Sequence, residues 1–258
     1  MTMIYTITNQ KGGIGKSTTA QALGAGLAKL HNKKVLLIDL DAQENLTIAT
    51  GAKRGVANSY LLLKGEVKAQ DAIQSVGGID IIPATIHLSR ADTELDTTGK
   101  EYRLKEALEP VIKNYDYVII DTPPALGVLT VNALTIADKV IIPAQADLFS
   151  LEAIKQLCST IDVVKRYTNP KIKVEGVLLT RYSPRSIISQ ELKELIEDTA
   201  KAIQAKVFNK PIREAVAIKE AQATHTDIFT YAPDSKVAGD YKNLIDELLA
   251  TEVKDKTK

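Results

Sequence analysis

The string Asn9-Gln10-Lys11-Gly12-Gly13-Ile14-Gly15-Lys16-Ser17-Thr18 follows a short β-branched run and opens a long helical pattern. A glycine-rich loop held between a strand and a helix lets backbone N–H groups turn inward around an anion. The helix behind it aims its positive end at the same charge. The ending Gly-Lys-Ser is that of a phosphate-binding loop, and the strand–loop–helix context is the one this motif requires. On this reading Lys16 reaches the β- and γ-phosphates of a nucleotide and the Ser17 hydroxyl ligates Mg²⁺. Gly12, Gly13, Ile14, Gly15 and Thr18 complete the binding loop.

The rest of the chain repeats the pattern of that first unit. Residues 4–8, 35–39, 79–83, 117–121, 140–143 and 174–180 are continuous apolar runs, as strands covered on both faces should be. Helical stretches at 18–30, 102–112, 148–166 and 189–206 lie between or after them. The alternation predicts an α/β fold with a doubly wound, mostly parallel sheet and helices on both faces. At 258 residues, 45% hydrophobic and 25% charged, the chain can bury such a core without disulfides or structural metal. We expect a single P-loop ATPase domain over residues 1–250 and a frayed tail over 251–258.

Ligands of doubly wound sheets bind outside the carboxyl ends of the strands, and two of those ends carry three aspartates between them. Asp39 and Asp41 close the second apolar run, and a strand continuing to Asp41 would place both carboxylates on one face. Asp121 closes another run and is followed by Thr122-Pro123-Pro124. An acid ending a hydrophobic strand beside a phosphate loop holds Mg²⁺ directly or through water, and the prolines stiffen the loop behind it.

Gln10 stands where a general phosphate loop has its first glycine, and Lys11 adds a second lysine. The Lys-Gly-Gly-Ile-Gly-Lys-Ser string resembles the deviant Walker A box of the ParA/MinD superfamily, and the chain as a whole is most similar to ParA DNA-partitioning ATPases. The similarity runs through Asp39-Leu40-Asp41-Ala42-Gln43, 121–127, 131–134, 142–145, 176–182 and 231–235 in family order. It implies that Lys11 crosses a dimer interface to the nucleotide of the partner subunit. It also implies that Asp41 orients or activates the attacking water, while Asp39 supports Mg²⁺ and the loop. Two residues depart from the family's second box: Ala42 replaces proline and Glu44 replaces the usual glycine, which bears on the rigidity of that loop. Pro211, Ile212 and Arg213 occupy the place of an adenine-contacting loop without matching it residue for residue.

The resemblance implies ATP and Mg²⁺ as cofactors, an ATP-dependent homodimer, non-specific DNA, and a ParB-like centromere-binding partner that stimulates hydrolysis. A net charge of +1 gives no global attraction to nucleic acid, so DNA contact needs a local patch. Residues 165–219 hold twelve Lys or Arg against six acids. Within them Arg185 matches a basic position the family uses on DNA, and Lys219 stands near another. The alternative is a MinD-like positioning ATPase on a membrane, which needs a basic amphipathic C-terminal helix. Residues 240–253 instead read as a core-packing helix carrying Asp246, Glu247 and Glu252. An iron–sulfur reductase of this superfamily would need cluster cysteines, and Cys158 is the single cysteine. A metabolic synthetase of the same superfamily would reveal itself by turnover of a small acid with ATP. With no apolar run of about 20 residues and no leader pattern at the amino terminus, we expect a cytoplasmic protein, nucleoid-associated when ATP-bound. The histidines His31, His87 and His225 are scattered and suggest no site.

Overall fold

The computed structural model describes residues 2–55, 57–182 and 187–256. Eight strands form one sheet: β1 (Met3–Ile7), β2 (Val35–Asp39), β3 (Gln74–Val76), β4 (Ile79–Ile82), β5 (Tyr117–Asp121), β6 (Lys139–Ala144), β7 (Lys173–Leu179) and β8 (Lys206–Val207). Their spatial order is β3-β4-β2-β5-β1-β6-β7-β8. Every neighbouring pair is parallel except β3 with β4.

The central strands are apolar on both faces because side chains alternate across a strand. Leu37 and Ile119 point into the core beneath the Lys16–His31 helix and the long carboxyl-terminal helix. Their neighbours Leu36, Ile38, Val118 and Ile120 enter the opposite core with Leu104 and Leu108. A third core joins β6 and β7 to the Leu148–Tyr167 helix through Ile142, Val177, Ile154 and Leu157. Burial of each such side chain contributes about 1.5–3 kcal/mol relative to exposure. The Lys16–His31 helix approaches the last helix closely at Gly26, where a Cβ would fall 2.1 Å from Ile245 Cδ1.

Several boundaries differ from the sequence expectation. The helix expected over 189–206 is Ile187–Ala202: the chain turns through Gln204, whose φ is 57°, and Lys206 and Val207 become edge strand β8. The helix expected over 102–112 is shortened to Arg103–Leu108 with 3-10 turns on either side, since Pro110 cannot continue it. The carboxyl-terminal helix runs Lys236–Lys256, so residues 251–256 are helical rather than frayed. Glu252 explains the extension. It is buried at 6% exposure and accepts hydrogen bonds from Tyr5 Oη and Tyr117 Oη, each at 2.8 Å.

Candidate functional site: a phosphate loop facing three aspartates

The loop between β1 and the Lys16–His31 helix is held by hydrogen bonds to the segments around it. Asn9 Nδ2 donates to Pro143 O at 2.7 Å while Asn9 Oδ1 accepts from Lys11 N at 3.2 Å. Thr180 Oγ1 donates to Ile14 O at 2.8 Å, and the Ile14 side chain is fully buried. Gly13 and Gly15 have φ of 72° and 87°, left-handed conformations that glycine adopts without strain. Gly15 is also the helix N-cap, and among the described residues no side chain caps that end. The first N–H groups of the helix are therefore available to an anion.

Lys16 is 6% exposed and its Nζ donates to Lys11 O at 3.1 Å. Burial lowers its pKa, opposed by the charges of Asp121 and Asp41. The carboxyl ends of β1, β5 and β2 are in register: Ile7 lies beside Asp121, and Asp121 beside Asp39. Asp39 is fully engaged. Its Oδ1 accepts from Asp41 N at 3.0 Å, and its Oδ2 accepts from Thr47 N at 2.8 Å and Thr47 Oγ1 at 2.7 Å. Burial pushes its pKa up to about 6 against those bonds.

Asp121 is different. It is fully buried, and among the described residues neither carboxylate oxygen has a hydrogen-bond partner. Burial and the nearby Asp39 push its pKa well up, while Ser17 and Lys16 favour the charged form. A buried, unpartnered carboxylate is costly unless a cation or donor meets it. An orphaned acid beside the Ser17 hydroxyl suits a hard divalent cation that takes oxygen ligands.

The chain does not continue as a strand to Asp41. β2 ends at Asp39, and Asp41 folds back to accept Gln43 N on Oδ1 at 3.0 Å. The two carboxylates therefore do not share a strand face. Asp41 instead lines a cavity with Gly12, Gly13, Lys16, Ser17 and Gln43. The adjoining cleft is lined by Ile14, Gly15, Thr18, Arg181, Ile212 and Arg213, among others. Pro211 lies one residue before those that line it. The Arg213 guanidinium is held by Asp240, with Nε to Oδ2 at 2.6 Å and Nη2 to Oδ1 at 2.7 Å.

Lys11 has partners that the sequence reading missed. Its Nζ donates to Gln145 Oε1 at 3.1 Å and forms an ion pair with Asp147. Asp147 also caps the Leu148–Tyr167 helix by accepting Ser150 N at 2.8 Å. An aspartate directly before an apolar helical pattern is a cap signal, so its position was readable though its ion pair was not.

The basic surface is smaller than the residue count suggests. Lys193 pairs with Glu197, Lys201 with Asp198, Lys206 with Glu247, and Arg213 with Asp240. Lys219 lines the same cleft as Arg213. Arg185 lies outside the described residues. Cys158 is half-buried, and burial pushes its thiol up to about 11, the behaviour of a small packed side chain rather than a nucleophile. Among the described residues no helix is long and apolar enough to cross a membrane.

A doubly wound sheet with a phosphate loop on β1 and acids at the neighbouring strand ends defines a P-loop ATPase. Residues 2–174 match the family described as AAA domain. Sporulation initiation inhibitor protein Soj of Bacillus subtilis is 42% identical over 97% of this chain and 99% of its own length. Chromosome partitioning protein ParA of Caulobacter vibrioides is 39% identical over 96% and 94%. The chain belongs to the ParA family of partitioning ATPases. Among solved structures, a putative plasmid partition protein from Borrelia burgdorferi bound to AMPPNP superposes with a TM-score of 0.81 at 28% identity, covering 97% of this chain and all of that one. Cobyrinic acid a,c-diamide synthase from Mycobacterium smegmatis, with bound ADP and magnesium, gives 0.83 at 34% identity over 96% and 94%.

Proposed function

We propose that this partition-type ATPase binds ATP with Mg²⁺, pairs with a second copy across the nucleotide, and in that state binds DNA without sequence preference. The observation that carries the reading is the single cavity onto which Lys16, Ser17 and Asp41 converge, with the orphaned Asp121 behind it. ATP lies along the loop with its phosphates on the backbone N–H groups and Lys16. The base occupies the cleft bounded by Ile212 and Arg213. Ser17 and Asp121 hold Mg²⁺, directly or through water, and Asp39 fixes the loop that carries Asp41. When bound, Mg²⁺ neutralises charge on the phosphate oxygens. Asp41 orients the attacking water toward the terminal phosphate, and Lys16 stabilises charge developing there.

Lys11 enters when it leaves Asp147 and reaches the nucleotide of the other copy. A ParB-like partner then stimulates hydrolysis and resets the cycle, and the protein associates with the nucleoid while ATP-bound. The buried Glu252 and the packed Leu244, Ile245 and Leu248 make the last helix part of the core, which disfavours a membrane-binding helix of the MinD-like kind. Co-sedimentation tests the proposal, using plasmid DNA and anionic liposomes with ADP or a slowly hydrolysed ATP analogue. Partitioning requires DNA binding that depends on the ATP analogue. ATP-dependent liposome binding without DNA binding would reject it.

A further inference from the structure

Glu44 stands where a glycine is usual in the second box of the family, and its backbone shows why glycine suits that place. Its φ is 58° and ψ 24°, a left-handed conformation in which a side chain is strained unless its surroundings hold it. The surroundings do hold it. Glu44 Oε1 accepts from Ile86 N at 2.8 Å, and Oε2 lies 3.3 Å from Arg54 Nη1. The Glu44 side chain is 12% exposed, whereas Arg54 is 63% exposed. Both contacts lie at an exposed rim, but the bond to Ile86 engages a fixed backbone N–H, whereas an exposed ion pair to a long side chain adds little.

That bond ties two segments at the carboxyl edge of the sheet. Glu44 N donates to Asp41 O at 2.9 Å, and Glu44 O accepts from Ile48 N at 2.8 Å. The residue therefore closes the turn that turns Asp41 toward the phosphate cavity. Thr47 makes a parallel tie, its Oγ1 accepting from Ala84 N at 2.8 Å. Residues 41–47 are thus stitched to residues 84–86 at two points, one of which is the side chain that replaces glycine.

We propose that Glu44 is a positioning residue for hydrolysis: it clamps the Asp41-bearing turn to Ile86 and so holds Asp41 at the phosphate cavity. This rests on the reading of Asp41 as the group that orients water. Glu44→Gly relieves the backbone strain and releases the clamp, so stability and catalysis should separate. Small displacements of a positioned group cost large factors in rate. We expect kcat for ATP to fall about ten-fold in Glu44→Gly, with KM, affinity for an ATP analogue and Tm close to those of the unaltered chain. Glu44→Gln still offers an oxygen to Ile86 N and should recover most of the lost rate. Unchanged kcat in Glu44→Gly would overturn the proposal. So would a fall in which Tm and nucleotide affinity decline together, since that marks general loosening. Failure of Glu44→Gln to recover the rate would also overturn it. Asp41→Ala, measured alongside, keeps the two readings apart. Hydrolysis surviving there removes the role of Asp41 itself, whereas hydrolysis lost there but intact in Glu44→Gly removes only the clamp.

Discussion

Lys11 and Asp147 form an ion pair within one chain, joining the phosphate loop to the first turn of the Leu148–Tyr167 helix. The next two residues, Leu148 and Phe149, are 68% and 78% exposed. A lysine that is to reach a second copy must first give up this carboxylate. Asp147→Asn keeps an acceptor for Ser150 N but removes the charge, and should let dimers form at several-fold lower protein concentration with the ATP analogue. Lys11→Ala should bind ATP yet stay monomeric. Light scattering reads both, and equal dimer mass in Lys11→Ala would end the cross-subunit role.

Asp41 and Lys16 should fail differently. Lys16→Ala removes a charge from the ground-state phosphates and should lose nucleotide affinity. Asp41→Ala should bind and dimerise but not hydrolyse, because only the group addressing water is gone. Nucleotide titration with phosphate release separates the two, and a wild-type turnover rate in Asp41→Ala would sink that assignment.

Asp121 makes the nucleotide-free protein pay for readiness. Its pKa and that of Asp39 are raised in the fold, so the folded state holds these protons more tightly than the unfolded chain. Stability from the pair is present at low pH and declines as pH rises from the unfolded value of 3.8 through the folded value, about 6 for Asp39. Asp121→Asn should flatten that decline and raise Tm at pH 7.5, by about 2–4 °C for each ~1 kcal/mol relieved. It should also weaken Mg²⁺-dependent hydrolysis. Thermal melts at pH 5 and pH 7.5 without nucleotide test the sign, and a lowered Tm at pH 7.5 would contradict it.

DNA binding should depend on pairing two modest patches. A second engagement on one duplex is intramolecular and can raise avidity by roughly 10²–10⁴, so dimerisation alone can switch affinity. Arg185→Ala should weaken binding to random-sequence duplexes and reduce the salt slope by about one, with ATP affinity intact. Lys219→Ala is the less direct test, since Lys219 lines the same cleft as Ile212 and Arg213, the proposed place of the base. Titrations of fluorescent duplex at several salt concentrations measure it, and nucleotide-independent binding would reject the switch.

The phosphate loop and the strand-end acids were legible because each is written in a few consecutive residues at an apolar boundary. Strands β3 and β8, of three and two residues, are too short to carry a periodic pattern. What decided the finer geometry was long-range: Asp41 turns away from its strand, Lys11 finds Asp147, and Arg213 is held by Asp240 from the last helix. No local window contains both members of those last two pairs. Glu252 shows the same limit. Read along its helix it accompanies solvated acids, yet two tyrosines of the central strands bury it.

That carboxylate has a consequence for how the molecule folds. Tyr5 and Glu252 are 247 positions apart, so this bond closes only when the first strand and the last helix have met. β1 and β5, whose far ends carry the phosphate loop and Asp121, share this one acceptor, and contacts of such sequence separation slow folding because loop closure precedes them. Until the Lys236–Lys256 helix docks, the two phenols keep water as their partner, and the core around them cannot close without cost. The two strands that carry the phosphate loop and Asp121 are tied together from behind only once that helix has docked.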